Sequence, residues 1–205
     1  MPDNPIQMSE RRRWLRVAVT GGAALVLGGG YVLPRLLVAG TDAGRPGSIR
    51  TTPGEVLLEV FSDDGADLGP RRLPRLVLSD EEWRRRLSPA AFDILRRGGT
   101  ERAFSGPHER PAVRGIYRCM GCATALFDDA AQFDSGTGWP SFWQPIAKLN
   151  VIEREDDSLG MQRTEVRCAR CEGHLGHVFD DGPRPTGLRY CMNSVALRFV
   201  ARKRG

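Results

Sequence analysis

The five cysteines of this chain stand in two kinds of setting. Cys119-Met-Gly-Cys122 and Cys168-Ala-Arg-Cys171 are C-x2-C pairs separated by 45 residues, while Cys191 stands alone between Arg189-Tyr190 and Met192-Asn193. Four thiolates on two tight turns close a tetrahedral coordination sphere. The paired spacing therefore points to one structural zinc ion held by Cys119, Cys122, Cys168 and Cys171. Ala123 and Glu172 follow the pairs, so the haem-attachment pattern, which needs histidine there, is absent. A disulfide scaffold leaves one thiol over and is unneeded in a domain of this size. Redox-active C-x-x-C units remain as the alternative. A set of Cys168, Cys171, His174 and His177 is poorer, since its pairs are too close and it orphans Cys119 and Cys122.

Cys191 is the thiol left for chemistry. On a strand, Arg189 and Asn193 share its face, and a nearby cation favours the nucleophilic thiolate. The plainer alternative is an inert buried cysteine packed as a small hydrophobe. His174 and His177, just beyond the second pair, titrate near neutrality and suit proton donation to a leaving oxygen. In isolation, hydrogen-bonded loop histidines are the simpler account of them. Trp139, between Gly138 and Pro140, suits the wall of a small apolar pocket. Its neighbours Phe133 and Trp143 read as core.

Elements must position these residues. Val56–Phe61 reads as a strand, Asp63–Gly69 as a turn and Leu76–Leu78 as a short apolar return. Ser79 with Glu82 three residues on forms a capping-box pattern that opens a helix through Leu87. Ser88-Pro89 opens a second helix and Gly98-Gly99 ends it, with Trp83, Leu87, Phe92 and Leu95 on the apolar side. From Arg114 the runs GIYRC, ALF, AQFDS, EVRC, HVFDD, LRYC and VALRFV are short and β-like, broken by Gly, Asp, Asn and Pro. The fold class is β-rich α+β: a compact antiparallel β domain around the four-cysteine site, preceded by two short helices.

The net charge of +5 is unevenly spread. Residues 1–40 hold five arginines against Asp3 and Glu10, and the remainder is nearly balanced with 25 basic and 23 acidic residues. That is no nucleic-acid footprint. Residues 17–34 carry no charge and follow Arg11, Arg12, Arg13 and Arg16, a pattern similar to a twin-arginine export signal. The chain divides into a signal or membrane anchor over 1–39, a Gly/Pro/Ser/Thr linker over 40–54 and a folded domain over 55–200. The expected location is periplasmic, or anchored to the outer face of the cytoplasmic membrane, with membrane contact only through that first segment.

Six stretches in order resemble the methionine-R-sulfoxide reductase B family. They are GTERAFSG (99–106), Cys119/Cys122, FDSGTGWPSF (133–142), Cys168/Cys171, HLGHVFDDGP (174–183) and GLRYCMNS (187–194). The resemblance covers roughly 55–200 and implies a β-tent-like fold around zinc, with reduction of methionine R-sulfoxide, free or in proteins. It implies attack by Cys191 on the sulfoxide sulfur and packing of Trp139 on the substrate methyl. His174, His177 and Asn193 would hold the oxygen, one histidine would protonate it, and Arg189 would favour the thiolate. One departure stands out: many members have a resolving cysteine where this chain has Thr137. With four cysteines on zinc, none is left to resolve, so an external thiol reductant is expected to reduce a Cys191 sulfenic acid. A monomer is the default assembly. A zinc-ribbon binding module with an inert Cys191 is the competing class.

Overall fold

The computed structural model describes residues 49–106, 113–157 and 162–202. The arginine-led segment lies outside them. Among the described residues, no helix is long and apolar enough to cross a membrane.

Both helices start where their caps dictate. The Ser79 hydroxyl accepts the Glu82 backbone N–H, and the Glu82 carboxylate accepts the Ser79 N–H at 2.8 Å, closing a capping box before α1 (Asp80–Arg86). Ser88 caps α2 (Pro89–Arg97), which ends at Gly98 in the left-handed conformation with φ 69°. The buried faces are those the apolar spacing predicts: Trp83, Leu87, Phe92 and Leu95 all enter the core.

Every strand pairing is antiparallel. β1 (Glu55–Phe61) pairs with β2 (Asp67–Pro74) as a separate hairpin. β3 (Gly115–Cys119), β4 (Ala125–Asp128) and β11 (Leu197–Ala201) form a three-stranded sheet in the order β11-β3-β4. The larger sheet has the order β5-β6-β10-β9-β8-β7. Its strands are β5 (Gln132–Phe133), β6 (Ser141–Phe142), β7 (Val151–Asp156), β8 (Arg163–Cys168), β9 (His174–Phe179) and β10 (Arg189–Met192). Between the two larger sheets, Phe127 stacks on Phe142 with ring centroids 4.4 Å apart.

Three details differ from the sequence reading. The return strand is Asp67–Pro74, and Leu76–Leu78 has no regular structure. β2 pairs on one edge only and is largely exposed, so it needs no apolar alternation, and an edge tolerates Pro70 and Pro74. β6 and β7 have weak signals for related reasons. The first is two residues inside a Gly/Pro-rich loop, and the second is a charged edge strand with three exposed residues. The compositional linker also gains its first anchors before Glu55: the Ile49 N–H donates to the Arg96 carbonyl at 2.7 Å, and Ile49 and Thr51 are buried.

The helices brace the two cysteine turns. Trp83, 1% exposed, lies against Gly121, and Arg86 Nε donates to the Gly121 carbonyl at 2.8 Å. Leu95 packs against Gly173, and Arg96 Nη1 donates to the Cys171 carbonyl at 2.8 Å. Trp83→Ala should therefore lower stability by roughly 3–5 kcal/mol, as for other fully buried aromatics. Equilibrium denaturant unfolding checks this; a loss under about 1 kcal/mol would show that the helices are not a structural brace.

Candidate active site and metal centre

Each C-x2-C pair forms the turn of a hairpin, and the two turns are built alike. In the β3–β4 turn, Cys119 N–H donates to the Thr124 carbonyl at 2.8 Å and Ala123 N–H to the Cys119 carbonyl at 2.9 Å. In the β8–β9 turn, Cys168 N–H donates to the Gly173 carbonyl at 2.9 Å and Glu172 N–H to the Cys168 carbonyl at 2.8 Å. Ala123 (φ 61°) and Glu172 (φ 53°) take the left-handed conformation that lets both sulfurs of a turn point one way.

The turns meet tip to tip. All four sulfurs lie within 4.8 Å of one another and are buried, with Cys119–Cys171 at 3.7 Å and Cys122–Cys168 at 3.4 Å. A tetrahedral site with bonds of about 2.3 Å separates its sulfurs by about 3.8 Å, so the donor set fits a four-thiolate metal. No cysteine pair is joined as a disulfide among the described residues. Crowding also disturbs the thiols electrostatically. Hydrogen bonding with Cys122 pushes Cys119 well up, and the reciprocal contact pulls Cys122 well down. A divalent cation removes that conflict by holding all four as thiolates.

Cys191 lies apart from this cluster, on β10 between two neighbours. It pairs with Ser141 of β6 on one side and His177 of β9 on the other. Its side chain opens into a cavity of about 150 Å³ that Trp139, His177, Phe179, Arg163 and Asn193 also line. A larger groove of about 300 Å³ between α1 and α2, lined by Leu87, Phe92, Asp93 and Arg97, has no thiol or histidine. Chemistry therefore selects the smaller cavity. Burial pushes the Cys191 thiol up, while Thr137, Arg189 and Ser141 pull the other way. Arg189 is less free than its spacing suggests: Nε and Nη2 each donate to Asp181 at 2.8 Å, and its guanidinium lies 4.5 Å over the Phe179 ring.

Each histidine faces a carboxylate that an arginine also holds. His177 Nε2 lies 2.7 Å from Asp156, which accepts from Arg163 at 2.8 Å. His174 Nδ1 lies 2.7 Å from Glu165, which accepts from Arg167 Nε at 2.7 Å. Burial lowers the affinity of His177 for a proton, with Asp156 opposing it only in part. The two rings meet edge-on with centroids 5.3 Å apart. His177 lines the Cys191 cavity, whereas His174, 2% exposed, lies behind it on an adjoining polar cavity of about 400 Å³.

Segment 99–106 fixes the rest. The Glu101 carbonyl accepts from Trp139 Nε1 at 3.2 Å, and the Glu101 N–H donates to Asn193 Oδ1 at 3.0 Å. The Glu101 carboxylate accepts from Ser194 N–H and Oγ at 2.6 and 2.9 Å. Asn193 Nδ2 also donates to the Leu175 carbonyl at 3.1 Å. One acidic residue thus ties the pocket tryptophan to the strand that carries Cys191.

A family model for the SelR domain matches residues 87–201. The chain is 57% identical over 123 residues to a peptide methionine sulfoxide reductase MsrB of Pseudomonas aeruginosa, covering 60% of this chain and 93% of the relative. A protein of the same name from Azotobacter vinelandii is 53% identical over 133 residues, covering 65% of this chain and all of the relative. One from Bradyrhizobium diazoefficiens is 56% identical over 124 residues, covering 60% and 89%. The chain belongs to the methionine-R-sulfoxide reductase B family.

Within this reductase B fold, the residues singled out from sequence fall into two groups. Cys119, Cys122, Cys168 and Cys171 converge on one point. Cys191, Trp139, His177 and Asn193 converge on another, with Arg189 beside Cys191 and His174 one layer back. Glu101, Asp156 and Glu165 escaped the sequence reading. Glu101 had a signal in its place within GTERAFSG, but the two carboxylates opposite the histidines come from β7 and β8, and only the strand register brings them together.

Gly176 meets the strand of Cys191 directly: a Cβ there would lie 2.1 Å from the Cys191 carbonyl oxygen. Gly176→Ala should prise β9 from β10 and cut kcat by at least about tenfold while the four-cysteine centre keeps its metal. Turnover and zinc content measured on the same preparation check this. Chelation of the metal should abolish the near-UV tertiary signal and zinc should restore it; a signal that survives complete metal removal would make the ion dispensable for folding.

Proposed function

We propose that this chain, an oxidoreductase of the peptide-methionine (R)-S-oxide reductase class, repairs oxidised proteins through attack of Cys191 on the sulfoxide sulfur. The observation that carries this reading is the position of Cys191. Its sulfur lies outside the four-sulfur cluster and opens into a cavity walled by Trp139 and His177.

In the proposed reaction, the Cys191 thiolate attacks the substrate sulfur as the sulfoxide oxygen takes a proton. The hydroxyl then passes to Cys191 and the thioether leaves with its electron pair. Methionine gains two electrons, Cys191 loses two, and the product is a sulfenic acid. An external thiol attacks that sulfur, water leaves, and a second thiol equivalent frees Cys191 from the mixed disulfide. Trp139 packs on the substrate methyl, Asn193 and His177 hold the oxygen with His174 behind them, and His177 supplies the proton. Cys119, Cys122, Cys168 and Cys171 would hold a zinc ion that cross-links the fold and takes no part in these steps. Free methionine sulfoxide is a second substrate on this reading.

Export is also part of the proposal. The arginine-led residues 11–34 resemble a signal for a route that carries folded proteins. Zinc would then enter in a reducing compartment, before the enzyme reaches the periplasm or the outer face of the cytoplasmic membrane.

An assay of separated R and S methionine sulfoxide epimers with a dithiol reductant tests the core of this reading. Turnover of the R epimer only, lost in Cys191→Ser, is the expected result. Activity on neither epimer in folded, zinc-loaded protein would favour a binding module instead.

The pH profile follows from two opposed shifts. Productive attack needs a thiolate at Cys191 and a proton at His177, the same total proton count as a neutral thiol with a neutral imidazole. Burial raises the first group and lowers the second. kcat/KM should therefore hold a plateau with its acid limb below the usual histidine range, at His177, and its alkaline limb above the usual thiol range, at Cys191. Asp156→Asn removes the acceptor that favours the charged imidazole, so the acid limb should move lower still. An acid limb unmoved by that change would place the proton donor elsewhere.

A further inference from the structure

Cys191 has hydroxyl company on the side away from the histidines. Thr137 Oγ1 lies 3.9 Å from Cys191 Sγ, Ser135 Oγ 2.8 Å from Thr137 Oγ1, and Ser141 Oγ 2.7 Å from Ser135 Oγ. Ser141 is 1% exposed, and its hydroxyl also lies 3.2 Å from the Trp139 carbonyl oxygen. Strand register closes this row back onto the sulfur, because Ser141 pairs with Cys191 across β6 and β10 and its hydroxyl also favours the thiolate.

Each hydroxyl has one proton to give and two lone pairs to receive. That count permits two complete arrangements. With a neutral thiol, Cys191 donates to Thr137, Thr137 to Ser135, Ser135 to Ser141, and Ser141 to the Trp139 carbonyl. With a thiolate, all three O–H bonds turn around: Ser141 donates to Ser135, Ser135 to Thr137, and Thr137 to the sulfur. Only the long contact to the Trp139 carbonyl is given up.

The charged groups around Cys191 leave this side to the hydroxyls. Arg189 lies on its own strand and is clamped by Asp181. His177 faces it from β9, with Asp156 and Arg163 behind. β6 brings no charge, and Asp134 of the preceding loop is turned to the Gly136 N–H at 2.9 Å. Among the described residues, the side chains on the β6 side that favour an ionised sulfur are the hydroxyls of Thr137 and Ser141.

We propose that Thr137 is a catalytic residue that donates to the Cys191 thiolate, with Ser135 and Ser141 reorienting behind it as a reversible hydroxyl chain. The proposal rests on Cys191 being the nucleophile.

The test is the pH dependence of Cys191 alkylation by iodoacetamide in the full, zinc-loaded chain, read by peptide mass spectrometry. Thr137→Val keeps the shape and removes the donor; its alkylation midpoint should rise by about 1 pH unit, and turnover at neutral pH should fall about tenfold. Thr137→Ser should keep the wild-type midpoint, and Ser135→Ala should shift it the same way as the valine by a smaller amount. A wild-type midpoint in Thr137→Val, a serine variant shifted as far as the valine, or no shift in Ser135→Ala would overturn the hydroxyl chain. Turnover retained by Cys191→Ser would instead overturn the nucleophile assignment, so the two failures are distinguishable.

Discussion

Four sulfurs that must share one point constrain nearly everything else in this domain. The cysteines lie on two hairpin turns, one in each of the larger sheets, and their sulfurs fall within 4.8 Å of one another. Hairpins from separate sheets have no backbone hydrogen bonds with which to fix their mutual position, so the cluster supplies the cross-link. α1 and α2 cover it, with Trp83 and Leu95 pressed on the two turns. β9 emerges from the second turn carrying His174 and His177, so the four-cysteine cluster sets where the histidines begin.

The pocket depends on that anchoring at one remove. β10 pairs with β9 and brings Cys191 opposite His177, while β6 brings Ser141 to its other side. Glu101 then ties Trp139 and Asn193 to the same strand end. The electrostatics are a balance: burial disfavours the Cys191 thiolate, and Thr137, Arg189 and Ser141 offset part of that cost. Burial likewise disfavours a charged His177, which Asp156 offsets. Burial thus favours the neutral form of both groups, which suits the proposed reading, in which Cys191 and His177 take up charge only when a sulfoxide arrives.

Much of this was legible in the sequence because spacing and capping are local. The C-x2-C pairs, the capping box at Ser79 and Glu82, and the Ser88-Pro89 and Gly98 boundaries each depend on residues a few positions apart. Strands β6 and β7 were not legible: one is two residues in a loop and the other a charged edge, so neither shows apolar alternation. Asp156 and Glu165 escaped notice for a different reason. A carboxylate becomes a histidine partner only through register across β7, β8 and β9, and register is a property of the assembled sheet. Arg189 shows the converse. Its spacing marks it as a cation for Cys191, but its clamp by Asp181 appears only in three dimensions.

On the proposed reading, the five cysteines divide the labour, four for the metal and one for the chemistry. A single turnover without reductant tests it most directly. Full-length, zinc-loaded protein mixed with methionine R-sulfoxide should release about one methionine per chain, retain its zinc, and carry one added oxygen on Cys191 alone. A disulfide between Cys191 and any of Cys119, Cys122, Cys168 or Cys171, with zinc released, would contradict the account.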